Sequence, residues 1–329
     1  MKEPTYRDAL THSWYLLTEH KVLWIFGLFA ALLGQMGIIE ILSKVVVTAK
    51  YFTYYPLIAN IPAILKTFFG AIGDWQLSFD KIVWLVWLMV ILAAFAFLFI
   101  FVAIVCHGAI IHSVAQYVRG KTKLAHHESW HAGVWHFWRL LSLQLIKKVI
   151  LSAFVLFVGF ATYNYVVNPS VGNSTFFSFS LLISLFFGSI LSLLTTYAAS
   201  YVVVVEFHVK GALQAAWTLL RSHGLVSFEV ALLSLAVNLV AGMFADLTIV
   251  FFRIEIFIIS FLSLIFQSIT IWSLGNTLSA LLATGIFMVI GSFVTVFTTT
   301  LWTYVFMKMH RDGVTPRIKL FFQKIFLKA

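Results

Sequence analysis

IVWLVWLMVILAAFAFLFIFVAIV, residues 82–105, runs its whole length without a charged or amide side chain. As a helix it extends about 36 Å, at about 1.5 Å per residue, enough to cross a hydrocarbon core of about 30 Å. A helix that is apolar on every face has no polar side to offer water, so this stretch calls for lipid as its solvent. Five further stretches have the same character: Val22–Ile39, Val149–Val167, Phe177–Val205, Leu225–Val250 and Thr277–Met307. The predicted fold is all-α, a polytopic membrane helix bundle of about six transmembrane helices.

The composition agrees. Of 329 residues, 61% are hydrophobic and 10% are charged, against about 25% charged in a soluble domain. The formal net charge is +10, but no hydrophilic domain is present to shape a nucleic-acid groove. The excess is read instead as topology information and as attraction to anionic lipid headgroups. Cys106 is the only cysteine, which excludes an internal disulfide and argues against a cysteine metal site. The residues before Val22 include Glu3, Asp8 and Glu19, so that first run is expected to remain as a span rather than act as a cleaved signal.

The cations sort by side. Lys2, Arg7, Lys21, the 119–148 cluster, Lys210, Arg221 and the six from Lys308 to Lys328 all fall on the side of the amino terminus. Only Lys44, Lys50, Lys66, Lys81 and Arg253 fall on the other, a split of 17 to 5. The positive-inside rule therefore predicts an inner (plasma) membrane protein of bacterial type with both termini cytoplasmic. Two stretches resist simple spans. Residues 41–70 are broken by Lys44, Lys50, Pro56, Pro62 and Lys66 and read as a surface or re-entrant segment. Residues 254–274 could cross, but a seventh span would export the basic tail, so an external interfacial or re-entrant helix is expected. Gly172 and Asn173 read as an external turn; Asn173-Ser174-Thr175 matches a glycosylation sequon that is idle in a bacterium.

An internal repeat is legible. Ala9-Leu10-x3-Trp14-x-Leu16-Leu17-x2-His20 recurs as Ala212-Leu213-x3-Trp217-x-Leu219-Leu220-x2-His223, with a weaker copy at Trp138-x-Leu140-Leu141. Each precedes a span. Leu10, Trp14 and Leu17 lie at i, i+4 and i+7, one apolar stripe of a helix, and Trp favours the headgroup layer. The predicted organisation is a single transmembrane domain over residues 1–310, in three units (1–118, 119–209 and 210–310). A basic amphipathic tail (311–329) follows, with Lys319, Lys324 and Lys328 opposite Ile318, Phe321, Phe322, Ile325 and Phe326. Trp14, Trp138, Trp217 and those three lysines are the expected lipid-surface residues.

His107-Gly108-Ala109-Ile110-Ile111, Val118-Arg119-Gly120-Lys121 and Trp138-Arg139-Leu140-Leu141 together make an arrangement that Ala212–Leu220 partly repeats. It resembles the bacterial membrane proteins grouped with the membrane domain of glycerophosphoryl diester phosphodiesterases. There a long span ends in a small-residue turn, a Gly-basic linker follows, and an amphipathic helix leads into the next span. The resemblance implies a membrane role and transfers no catalytic residue, since the chain has no room for the catalytic barrel that some members carry.

Two polar constellations could carry chemistry. His127-Glu128-Ser129-Trp130-His131 is a literal HExxH. His127 and His131 could grip zinc while Glu128 serves as general base, with His126 and His136 close by. The same histidines also continue the stripe of Val134, Trp138 and Leu141, a placement beneath headgroups that needs no metal. Glu229, about one turn into the fifth span, has Lys147, Lys148 and Arg221 at similar depth, and Glu206 with His208 marks the end of the fourth span. These form either a polar membrane site for an ion or lipid head, or structural ion pairs. The expected function is a non-enzymatic inner-membrane protein associated with lipid and envelope, with anionic headgroups as partners, no nucleic acid and no cofactor. The alternatives are an HExxH zinc metalloprotease and a small transporter with a polar site near Glu229.

Overall fold

The computed structural model describes residues 5–33, 79–121 and 125–312. The expected segment 41–70 and the amphipathic tail with Lys319, Lys324 and Lys328 lie outside them. Every regular element among the described residues is helical. They are α1 (Thr5–Glu19), α2 (Val22–Ala30) with one 3-10 turn after it, and α3 (Phe79–Val118). Then come α4 (His126–Trp135), α5 (Phe137–Val167), α6 (Val171–Val204), α7 (Val209–Ser222), α8 (Gly224–Ile265) and α9 (Ile269–Asp312). Five of these contain stretches long and apolar enough to cross a bilayer: Ile82–Val118, Phe137–Val167, Val171–Val204, Gly224–Ile265 and Ile269–His310. The chain is a multi-pass helical membrane protein. Of the expected span Val22–Ile39, the part to Leu33 is helical and the remainder lies outside the described residues.

The chain forms two compact units. The first draws on Met1–Leu33, Ala103–Leu140 and Thr196–Ala329, the second on Gly34–Val102 and Leu141–Thr195. In the first, α9 packs against α8, α2 and α1. Its core is made of helix ends rich in small and hydroxyl side chains: Ala103–Val105, Ala109 and Ser113 on α3, Tyr197–Ser200 on α6, and Thr298–Thr300 with Thr303 on α9. Lipid tails are as apolar as leucine, so helices in a bilayer associate through close approach and hydroxyl bonds rather than by hiding oil from water. Gly27 shows the approach: a Cβ there would lie 2.7 Å from the Ser292 carbonyl oxygen. The Ser292 hydroxyl donates to the Trp24 carbonyl, and Tyr197 donates to Ser227 at 2.8 Å across α6 and α8.

The second unit holds the α5–α6 hairpin. Leu151 and Val158 are buried among Phe154, Val155, Phe177, Leu181, Leu185 and Leu191. The expected turn at Gly172 and Asn173 is instead the first turn of α6. Ser170 caps it, accepting the Asn173 N–H at 3.2 Å. The Asn173 amide donates to the Asn168 carbonyl at 2.7 Å, tying the end of α5 to the start of α6.

Two other expectations are corrected. Residues 254–274 make no separate interfacial helix, since α8 continues to Ile265 and α9 begins at Ile269. Gln267, at φ 47°, turns the chain between them, and Ser268 N–H bonds the Ser263 carbonyl at 3.1 Å. No helix breaker interrupts the pattern, so the helix runs on; 42 residues make about 63 Å, roughly twice the hydrocarbon thickness. Trp138-Arg139-Leu140-Leu141 likewise belongs to the first turns of α5, because His136 ends α4 and the next helix starts at Phe137. On the Trp-centred stripes of α1 and α7 the rings are exposed, although Leu17 of the first stripe is fully buried. Ala9, Ser13 and Leu16 are buried on α1, and Ala212, Ala216 and Leu219 on α7, while Trp14 and Trp217 stand exposed beside them. Both helices bury alanine together with leucine and turn the ring outward.

Candidate functional site

The polar side chains gather where α3 ends against α4, within the first unit. His112 and Gln116 lie at i and i+4 on α3, and Arg119, at i+7 and one residue past its end, continues the stripe. Gly120, at φ 91°, then stops the helix, with Lys121 N–H on the Gln116 carbonyl at 3.2 Å and Gly120 N–H on the Tyr117 carbonyl at 2.9 Å. This pairing needs a left-handed residue, which only glycine supplies without strain. α4 crosses α3 at two glycines. A Cβ on Gly108 would stand 3.1 Å from the Gly133 Cα, and one on Gly133 would run into the Val105 carbonyl.

That approach brings the facing side chains within bonding distance. Ser113 Oγ and Ser129 Oγ are 2.8 Å apart, and His112 Nδ1 lies 3.4 Å from Ser129 Oγ. Gln116 Nε2 donates to Glu128 Oε2 at 3.1 Å. Glu128 is thereby engaged with α3. His127 and His131 are exposed and converge, Nε2 to Nε2 at 3.1 Å with ring centroids 4.3 Å apart. Two imidazoles so placed either share a proton or present two lone pairs to a cation. No group of three or more His, Cys, Asp or Glu side chains able to hold a metal occurs among the described residues. The pair therefore has no third ligand there.

Beside the pair opens a cleft of about 570 Å³, walled by α3, α4 and the end of α6, with Arg119, Trp135, His136 and Glu206 among its lining residues. Two guanidinium groups reach the backbone at the end of α6, and of these Arg119 lines the cleft. Arg119 donates to the Val204 carbonyl at 3.3 Å and Arg139 to the Glu206 carbonyl at 3.1 Å. Cations at a helix C-terminus satisfy orphan carbonyls and oppose the negative end of the dipole. They also hold Glu206 at φ 62°, a left-handed conformation that costs a residue with a Cβ about 1–2 kcal/mol.

Two buried polar atoms of the lining residues, His136 Nε2 and Gln116 Oε1, have no hydrogen-bond partner among the described residues. His136 is 4% exposed and Gln116 7% exposed. The His136 Nδ1–H donates to the Ala132 carbonyl at 2.8 Å. On the other flank of α4, His20 and His126 meet edge to face at 6.4 Å. Burial, then the neighbouring His126, holds the His20 imidazole below its ordinary value of 6.5, with Glu19 opposing.

Of the expected polar membrane site, Glu206 lines this cleft, whereas Glu229, half-buried on α8, does not. Lys147 is buried and Lys148 half-buried on the part of α5 in the second unit. Trp14, Trp138 and Trp217 are each more than half exposed. Sequence reading missed Gln116 as a partner of Glu128, and Arg119 and Arg139 as caps of α6. The i, i+4, i+7 polar stripe His112, Gln116, Arg119 at the end of an apolar helix was the available signal. No family model, curated protein or solved structure matches the chain.

Proposed function

We propose that this chain is a non-enzymatic inner-membrane protein, with both termini cytoplasmic, that engages anionic lipid headgroups at its basic face. The observation that carries the reading is the disposition of tryptophan. Trp14 and Trp217 stand exposed on short helices that bury Ala9 and Leu16, and Ala212 and Leu219, in protein, and Trp138 stands exposed at the head of α5. An amphipathic ring held outward at the end of an apolar span is placed to anchor in headgroups. In this reading the helices form three units, each a short amphipathic helix before two spans, and the basic tail with Lys319, Lys324 and Lys328 adds a fourth lipid contact. The resemblance to the membrane domain of glycerophosphoryl diester phosphodiesterases supports a membrane role of the same non-catalytic kind.

Nitroxide labels on cysteines placed at 14, 138 and 217, with the buried Cys106 left in place, test this in liposomes. All three should report headgroup depth; a label at 138 or 217 lying in bulk water would remove the reading. The 3.1 Å convergence of His127 and His131 favours a second one, a zinc metalloprotease with Glu128 as base. It is separable by metal analysis of the purified chain. Stoichiometric zinc lost in His131→Ala would install it, and its absence would dispose of it.

A further inference from the structure

His127 and His131 differ from the other histidines of α3 and α4 in being open to solvent. Both are exposed, whereas His136 is buried and His112 and His126 are half-buried. One turn of helix sets the two rings over the same patch of surface, with Nε2 3.1 Å from Nε2. A late transition cation binds imidazole nitrogen at about 2.0–2.1 Å, and two such bonds opened to about 90–110° hold their nitrogens roughly 2.8–3.4 Å apart. The pair already stands at a chelating bite, and a cation there replaces the one proton that the two neutral rings share. The donor set decides the class of cation. Glu128, at i+1, lies off the face that the two histidines share, and its Oε2 accepts from Gln116 at 3.1 Å. Cys106 is buried on α3, and no third His, Cys, Asp or Glu completes a set with the pair among the described residues. Two neutral nitrogens suit copper, nickel and zinc and pass over magnesium and calcium. The local fold gives binding a consequence. α4 starts after Ala125, an N-cap residue whose methyl group cannot bond the free N–H groups of the first turn. A cation across His127 and His131 closes that turn on itself. It thereby fixes the helix that carries Ser129, Glu128 and Gly133 to α3.

We infer that His127 and His131 form a two-nitrogen site for an exchangeable late first-row divalent cation, of the copper, nickel and zinc class, whose binding staples the start of α4. The site goes beyond the headgroup reading and does not depend on it. It also parts from the protease reading, which requires zinc held through purification and Glu128 acting on its water. Two imidazoles load when the metal is supplied and empty into a chelator.

The test uses the full chain in nanodiscs, purified on a tag without histidine, stripped with a chelator and titrated calorimetrically with nickel chloride or magnesium chloride. The expected result is one nickel ion per chain and no magnesium. Because the cation binds the folded helix, nickel should also raise the melting temperature. His127→Ala and His131→Ala should each lower the affinity at least ~10-fold, the smallest effect even of losing a group behind a ligand, and abolish the rise in melting. Both side chains are exposed, so the metal-free variants should melt like wild type. Glu128→Gln should bind nickel like wild type; a loss there would make the carboxylate a ligand and overturn the two-nitrogen assignment. His208→Ala removes an exposed histidine ahead of α7 and should change nothing. A loss equal to that in His131→Ala would reduce the binding to surface histidines in general and overturn the site. No saturable binding to wild type, or unchanged binding in both His127→Ala and His131→Ala, would overturn it too. Saturable binding with no rise in melting would overturn the staple. Peptide cleavage by the metal-loaded chain, abolished in Glu128→Gln, would return the pair to the protease reading. Headgroup-depth labels at positions 138 and 217 are untouched by any of these outcomes.

Discussion

Along α9, the residues from Leu278 to Val289 are mostly exposed, and those from Thr295 to Phe306 are buried without interruption. α3 divides the same way: Ile82–Ile100 is exposed and Ala103–Ile111 buried. Both halves of each helix are apolar enough to sit in a bilayer, so hydropathy does not separate them. In α9 hydroxyl content does, since Thr295, Thr298, Thr299, Thr300 and Thr303 all lie in the buried half, and in α3 side-chain size does. The exposed half of α3 carries Trp84, Trp87, Phe97 and Phe99, while its buried half carries Ala103, Gly108, Ala109 and Ser113. Bulky residues meet lipid tails at no cost, whereas protein neighbours need backbones brought close and hydroxyls they can bond. One end of each helix is built to be solvated by lipid, and the other is built to hold the fold.

The largest effect should come from breaking the packed end. Gly133→Leu forces a side chain into the Val105 carbonyl and should cost about 3 kcal/mol or more, the upper range for overpacking. Cys106, buried and the sole thiol, reports it: a thiol-reactive dye should label the variant at markedly lower temperature than wild type. An unchanged labelling profile would mean that the α3–α4 crossing does not hold this end. Tyr197→Phe, which removes the 2.8 Å bond to Ser227, should lower stability by about 0.6–1.7 kcal/mol, the range for hydrogen bonds between membrane helices. A loss above that range would show the hydroxyl network to be cooperative.

At the exposed end, Leu88→Ala and Phe261→Ala should change stability by no more than about 0.5 kcal/mol. A core-sized loss at either would reveal a protein partner where lipid is expected. The smallest effect is a pH dependence at the α1–α4 contact. His20 binds its proton less readily in the folded chain than its ordinary value of 6.5 allows. Stability is therefore complete above that value, and falls as pH drops below it, because the unfolded chain takes up the proton first. His20→Gln should flatten the melting profile between pH 7 and pH 5; an unaltered slope would assign the dependence to another group.

Hydropathy alone located the five long helices, since a chain must satisfy its backbone hydrogen bonds internally wherever lipid surrounds it. The ends of those helices were less legible. α8 and α9 meet in a turn at Gln267, a residue whose composition gives no turn signal, so 254–274 read as a separate element. The HExxH pair was visible as spacing, and its histidines do converge. That Glu128 faces Gln116 was not visible, because it follows from the Gly108–Gly133 crossing, and a glycine does not announce which helix it admits.

Local order and solvent were thus written into the chain itself: helix by helix, the preference for lipid depends only on the residues within each stretch. Tertiary structure decided which half of each helix is buried, and it assembled the cleft from residues as far apart as His112 and Glu206. Such contacts depend on how closely two backbones pass. Gap width is a property of the pair, and no single segment encodes it.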